Sequence, residues 1–226
     1  MNALRHQCRL LGDLLTNPRR AFESLADAPP IASVILVLGF LQASLWLAQS
    51  LLLEPVVSAD AWSGEAMAAG APGRSVYWMA RSLLVLLAPV ALGLRGAGLA
   101  VLLQAGAALA GRALPWRPLV SLALHLDVVL WVESAAVTLL LALSRPVSVD
   151  ALRALRLHAG IDLVWQPASP AAGALLAAAN AFSVWWGLLL VGGLGVVVQM
   201  PPRPARALAT TAWACLVAVR FLLDRS

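Results

Sequence analysis

Apolar residues in this chain form long runs, and short segments rich in Pro, Gly and Arg separate them. The first run, residues 31–53, contains no charged residue. About 20 predominantly apolar residues are enough to cross the hydrocarbon core of a bilayer as a helix. Four further runs are also predominantly apolar. The pattern therefore predicts five spans, at about residues 31–53, 83–110, 119–143, 179–199 and 207–223.

The second apolar stretch, residues 77–111, is longer than one perpendicular span requires. As a single helix it would measure about 52 Å. Pro89 interrupts it, as do three glycines, Gly93, Gly96 and Gly98. Either one kinked helix or a partial helix followed by the span itself satisfies this pattern.

Residues 1–30 are polar by the standard of the rest of the chain. Asn17 and Pro18 are a favourable helix start, since Asn can cap free N–H groups and Pro tolerates the first helical position. We expect a short helix from Pro18 to about Ala26, ended by the pair Pro29-Pro30. Leucines and arginines lie side by side here, which favours an amphipathic segment on the membrane surface over a loosely ordered tail. The expected organisation is an interfacial segment, 1–30, and a five-span domain, 31–226.

Composition supports a membrane protein. Of the 226 residues, 61% are hydrophobic and 12% charged, with a mean hydropathy of +0.84, whereas soluble domains carry roughly 25% charged residues. We therefore predict an all-α, polytopic transmembrane bundle whose first partner is the lipid bilayer. All sixteen basic residues are arginines, and they are spread over every loop and not clustered. No basic stripe with interleaved aromatic residues indicates nucleic-acid binding.

The distribution of arginines predicts the orientation. With the N-terminus in the cytoplasm, eight arginines fall in cytoplasmic segments and six in outer ones, as the positive-inside rule requires. The Arg-only usage is typical of a GC-rich bacterial genome. We expect a bacterial inner-membrane protein with a cytoplasmic N-terminus and an outer C-terminus.

Three ionisable residues lie within predicted spans, where a charge is costly and normally faces the bundle interior. They are Arg95, Asp127 and Glu133. Counted from the nearest loop arginines, Arg95 and Glu133 lie at an equal depth of about 24–26 Å, so we predict that they are in contact. The same count places Gln104 and Asp127 at about 12–15 Å and predicts a hydrogen bond between them.

The roles of these groups are open at this point. They either fix helix register as buried polar pairs, or line a proton or solute path through Asp127 and Glu133, or contact a partner. His125 lies two residues before Asp127 and on a different helix face, so a hydrogen-bonded histidine is favoured over a metal ligand. The two cysteines are far apart, and motifs for zinc, phosphate or a catalytic nucleophile are missing. We predict no metal, no cofactor and no catalytic residue.

Three features of the chain together form a recognisable pattern. One is Asn17-Pro18-Arg19-Arg20-Ala21-Phe22-Glu23 followed by Pro29-Pro30, a Pro, a Phe and then prolines before the first span. Another is Phe182-Ser183-Val184-Trp185, running into Leu188-Leu189-Leu190 and Gly193-Leu194-Gly195. The third is the five-span layout with a compact closing hairpin. In these soft hydrophobic patterns, over about residues 10–223, the chain resembles the Yip family, the Ypt-interacting-protein type of five-span membrane domain. The sequence departs from the family at Asn180, near the place of an acidic residue, and at Arg95 in the second span.

The resemblance implies a non-enzymatic role. Eukaryotic relatives act in vesicle traffic, whereas some bacterial relatives are accessory partners of membrane machinery such as ABC-type exporters. We therefore expect an accessory or scaffold subunit that associates with another membrane protein or with itself. A small transporter or channel using Asp127 and Glu133 is the alternative. An intramembrane enzyme is a third hypothesis, but the sequence offers it no nucleophile.

Overall fold

A computed structural model describes residues 2–27, 30–61, 74–144 and 178–223. Within these ranges the regular elements are seven helices, which confirms the predicted all-α fold. They are α1 (Asn2–Thr16), α2 (Pro18–Asp27), α3 (Ile31–Ala61), α4 (Arg74–Leu109), α5 (Trp116–Ser144), α6 (Ala181–Val197) and α7 (Pro202–Leu223).

Four of the helices are long and apolar enough to cross a membrane. The crossing segments are Ile31–Pro55, Ser75–Leu109, Trp116–Ser144 and Pro202–Leu222. They agree with four of the five predicted spans and confirm a multi-pass membrane protein. The remaining one, α6, is apolar but has only 17 residues, about 26 Å. Its crossing of a bilayer of about 30 Å stays a prediction.

The second span is a single helix. α4 runs for 36 residues through Pro89 without a break, so the alternative of two separate pieces is wrong. Pro89 lies where α3 comes very close: a Cβ built on Gly39 would stand 2.9 Å from the Pro89 Cβ. Gly39 thus makes room for the proline ring, and packing stabilises the helix at a residue that would otherwise weaken it.

The turn after α4 has a glycine in the left-handed region. Gly111 has φ +70°, a conformation that costs glycine little. Its N–H donates to the carbonyl of Ala108, and the N–H of Arg112 donates to that of Ala107. This is a Schellman arrangement, and it ends α4 before Trp116 begins α5.

The N-terminal segment forms two helices, of which the sequence predicted one. α2 matches the predicted helix from Pro18, whereas α1 was missed; Pro29 lies outside the described residues. The apolar side chains assigned to a membrane surface are instead covered by protein, because Leu14 is 1% and Leu25 0% exposed. α2 packs against α6, where Phe22 would lie 3.3 Å from a Cβ on Gly192.

The chain divides into two compact units. The first comprises Met1–Val37, Leu92–Leu130 and His158–Ser226, and the second Leu38–Ala91 and Trp131–Leu157. The first 30 residues therefore group with parts of the spans instead of standing apart.

Candidate functional site

The N-terminal half of α5 is the centre of the first unit. Every residue from 119 to 129 is buried. A helix covered on all sides is normally apolar on all sides, and this segment carries three polar residues, Ser121, His125 and Asp127. Buried polar groups must find hydrogen-bond partners, so these three define the candidate site.

His125 is held by a chain of hydrogen bonds through three helices. Its Nδ1 lies 2.7 Å from the carbonyl oxygen of Ser121. A carbonyl only accepts, so Nδ1 carries the ring proton, and Nε2 accepts from the Gln7 amide nitrogen at 2.8 Å. The Gln7 Oε1 in turn accepts from the Ser33 hydroxyl at 3.1 Å. Both ring nitrogens of a neutral imidazole are thereby satisfied, in agreement with the prediction of a hydrogen-bonded histidine.

Asp127 is paired with Arg95 of α4. The Nε of Arg95 donates to the Asp127 Oδ2 at 3.0 Å. The two side chains differ in exposure, 49% for Arg95 against 5% for Asp127. The carboxylate is therefore inside the protein, whereas about half of the Arg95 side chain is exposed.

Close helix packing brings these partners together. A Cβ built on Gly96 would lie 2.5 Å from the Leu124 Cδ2, so a larger residue where α4 meets α5 would force the buried Leu124 side chain to shift. The adjacent Arg95 can then reach Asp127, three residues beyond Leu124. On another side of α5, a Cβ on Gly193 of α6 would collide with Leu122. Small residues at such crossings are typical of membrane helices.

The predicted pairing scheme was partly wrong. In the structure, Arg95 forms an ion pair with Asp127. The predicted Gln104–Asp127 hydrogen bond does not form. Gln104 lies nine residues beyond Arg95, about 14 Å further along α4, so it cannot reach the same carboxylate. Its Oε1 is instead buried without a hydrogen-bond partner in the described part of the chain. Glu133 belongs to the second unit, and its predicted contact with Arg95 stays a prediction.

Sequence reasoning missed the partner of His125. Gln7 precedes Leu10, Leu11 and Leu14 at helical spacings of three, four and seven residues, which places it on the apolar face of α1. That spacing was the available signal. In the second unit, Gln49 was also missed; its amide donates to the Thr138 hydroxyl at 2.8 Å.

The residues that carry the family resemblance have structural roles. Pro18 begins α2 and Phe22 is buried, while Phe182 and Trp185 of α6 are half-buried. Asn180 caps α6, since its side chain accepts from the N–H of Ser183 at 2.8 Å. An amide oxygen here serves the capping role that a carboxylate also fulfils.

No group of three or more potential metal ligands occurs among the residues that the structure describes. Comparisons with family models, with curated proteins and with solved structures found no match.

Proposed function

We propose that this protein is a non-enzymatic integral membrane subunit that docks on another membrane protein through the surface of α4 around Arg95. The observation that carries the proposal is the exposure of this arginine. Arg95 lies 20 residues beyond the start of the apolar segment Ser75–Leu109, and its side chain is 49% exposed. A charge at the centre of a membrane helix costs about 2.5–3.5 kcal/mol on insertion scales.

The ion pair with Asp127 uses only one of the hydrogen-bond donors of the Arg95 guanidinium. A guanidinium has five N–H donors, and the bond to Asp127 uses the one on Nε. Within the described ranges, its two terminal amino groups have no hydrogen-bond partner. A docking partner that supplied carbonyl or carboxylate oxygens at this depth would satisfy them.

The surroundings of Arg95 suit an approaching helix. Gly98 is exposed on the next turn, and a Cβ built there would meet no atom within 4 Å. Leu102, on the same face as Arg95, is 39% exposed. A small residue beside a polar one is a common composition of membrane helix interfaces.

The resemblance to the Yip family adds a partner class. On that basis we infer an accessory subunit of membrane machinery such as an ABC-type exporter, in a bacterial inner membrane with the N-terminus in the cytoplasm. The transporter alternative has less support. Asp127 is 5% exposed and lies within an unbroken buried segment, which is typical of a structural ion pair and not of a wet path.

Site-specific photo-crosslinking in the native membrane tests the proposal. A photoreactive phenylalanine analogue at Leu102 should capture a membrane protein, and Arg95→Gln should abolish that product. The matched control is the same probe at Leu188 of α6, which is 67% exposed but lies on another helix. Equal products at both positions, or a Leu102 product that survives Arg95→Gln, would contradict the proposal. A product of twice the chain mass would identify a second copy as the partner.

A further inference from the structure

The second unit contains an aromatic cluster where α4 begins. The Tyr77 hydroxyl donates to the carbonyl of Ser50 at 3.1 Å, and the Trp78 indole N–H donates to the Glu54 Oε1 at 3.3 Å. The two rings meet edge to face, with centroids 5.5 Å apart. These bonds join α4 to the later turns of α3. Tyr and Trp side chains that combine ring contacts with polar contacts are typical of the membrane–water boundary.

A cleft of about 240 Å³ lies beside this cluster, between α3 and α4. The two helices are antiparallel, since Ser50 meets Tyr77 and Gly39 meets Pro89. The cleft therefore changes character along its length. Ser50, Trp78, Arg81 and Ser82 line the end near the start of α4, whereas Leu47, Val85 and Leu86 line the other end.

Arg81 directs its charge toward the polar end. Its Cα lies seven residues into α4, about 10 Å from the helix start. Its guanidinium carbon is nevertheless 5.4 Å from the centroid of Tyr77, one turn closer to that start. Long basic side chains extend in this way from an apolar helix toward the headgroup region. No carboxylate of the described residues lies within salt-bridge distance of Arg81.

Ser82 adds a second donor. Serines elsewhere in these helices, such as Ser44 and Ser50, donate to the carbonyl four residues earlier. Ser82 makes no such bond within the described structure, and it is exposed. Its hydroxyl is therefore available beside the guanidinium of Arg81.

We propose that this cleft binds an anionic glycerophospholipid, with the phosphate on Arg81 and Ser82 and one acyl chain along Val85 and Leu86. A charge-assisted hydrogen bond from arginine is the usual way to hold a phosphate. The cleft is smaller than the roughly 300 Å³ at which pockets for whole small molecules begin. Leu86 is 75% exposed, so the apolar end is open to the acyl chains of the bilayer. The site is independent of the docking surface around Arg95.

Native mass spectrometry of the delipidated full chain tests this site. The probes are dioleoyl phosphatidylglycerol, dioleoyl phosphatidylcholine and inorganic phosphate. We expect one phosphatidylglycerol to remain bound, with an affinity at least about tenfold above that for phosphatidylcholine. Equal retention of both lipids would show a nonspecific lipid coat, and binding of phosphate alone would show a headgroup site without lipid recognition; either result overturns the proposal.

Substitutions of Arg81 and Ser82 test whether the lipid binds in this cleft. Arg81→Gln should weaken phosphatidylglycerol binding by about tenfold or more, while Arg81→Lys should retain most of it. Arg112→Gln removes an exposed arginine from the turn after α4 and is the matched control. Ser82→Ala, on the exposed face, should weaken binding a few-fold without affecting the fold. Binding that is unchanged in Arg81→Gln and Ser82→Ala would overturn the assignment. Because Arg95 is intact in both variants, the crosslinks at Leu102 should persist in them.

Discussion

The side-chain nitrogen of Gln7 lies 2.8 Å from the Nε2 of His125, although 118 positions separate the two residues in the chain. This bond attaches α1 to the most deeply buried helix of the first unit. Both side chains are almost completely buried, Gln7 at 1% and His125 at 0% exposure. The N-terminal helices are therefore part of the folded core.

Removing the Gln7 amide should destabilise the protein. Gln7→Ala leaves the Nε2 of His125 and the hydroxyl of Ser33 without their partner, and an unsatisfied buried group costs about 1–3 kcal/mol. We expect a lower unfolding midpoint in detergent, measured by circular dichroism. Cys8→Ala changes the exposed neighbour and should leave the midpoint unchanged. Equal midpoints for Gln7→Ala and the wild type would show that the bond contributes nothing.

The ion pair of Arg95 and Asp127 should show energetic coupling. Arg95→Gln leaves a buried carboxylate without its counter-charge, whereas in Asp127→Asn the half-exposed arginine side chain can turn outward. We therefore expect Arg95→Gln to be the more destabilising single change. The double variant should be about 1–2 kcal/mol more stable than the sum of the single effects predicts. Strict additivity in unfolding measurements would contradict the pairing.

A second double-mutant cycle tests the contact between Arg95 and Glu133 that the sequence predicts. Arg95→Gln combined with Glu133→Gln measures the coupling between these two residues directly. Coupling comparable to that of Asp127 would support the Arg95–Glu133 contact, and additivity would refute it.

Gly193 and Gly195 of α6 should respond differently to the same substitution. Gly193→Val places a side chain against Leu122, which is 0% exposed, so the valine forces buried atoms to shift. Overpacking of this kind typically costs about 1–3 kcal/mol. Gly195→Val is the control, because a Cβ there meets no atom within 4 Å and valine has the higher helix propensity. Equal losses of stability in both variants would mean that packing on α5 is not the cause.

The orientation of the chain can be tested with its own cysteines, which are both free and exposed. With the N-terminus in the cytoplasm, a membrane-impermeant maleimide should label Cys8 only after spheroplasts are permeabilised. Cys215 lies within the apolar segment Pro202–Leu222, so lipid should protect it in both conditions. As the control, Ser226→Cys in a Cys8→Ala background should react without permeabilisation. Labelling of Cys8 in intact spheroplasts would reverse the orientation.

The spans could be predicted because each is a property of one contiguous segment. Long apolar runs and their Pro- and Gly-rich boundaries can be read from the local sequence. Residues 74–109 left two alternatives open, because the sequence does not show that Gly39 packs against Pro89. Polar pairs depend instead on the relative axial positions of two helices. The depth count assumed that Arg112, after α4, and Arg117, at the start of α5, lie at the same depth. It paired Asp127 with Gln104, whereas in the structure Asp127 meets Arg95, about 14 Å away from Gln104 along α4.

The candidate site was predicted only in part, because the sequence shows which residues are polar but not which residues they contact. Arg95, Asp127 and His125 stand out because each is polar in an apolar run. Gln7 does not stand out, because its segment is polar on average and only the spacing to the following leucines reveals its face. Gln49 was missed because it is uncharged, although an amide in a membrane helix also needs a partner.

Within the described part of the chain, the side chains of other helices that bind His125 and Asp127 of α5 precede α5 in the sequence. Gln7 and Ser33, which bind directly or indirectly to His125, and Arg95, which binds Asp127, are therefore synthesised before α5 is complete. The polar groups of α5 can therefore be satisfied as the helix enters the membrane, before α6 and α7 exist. A chain truncated after α5 should therefore still insert α5 across the bilayer.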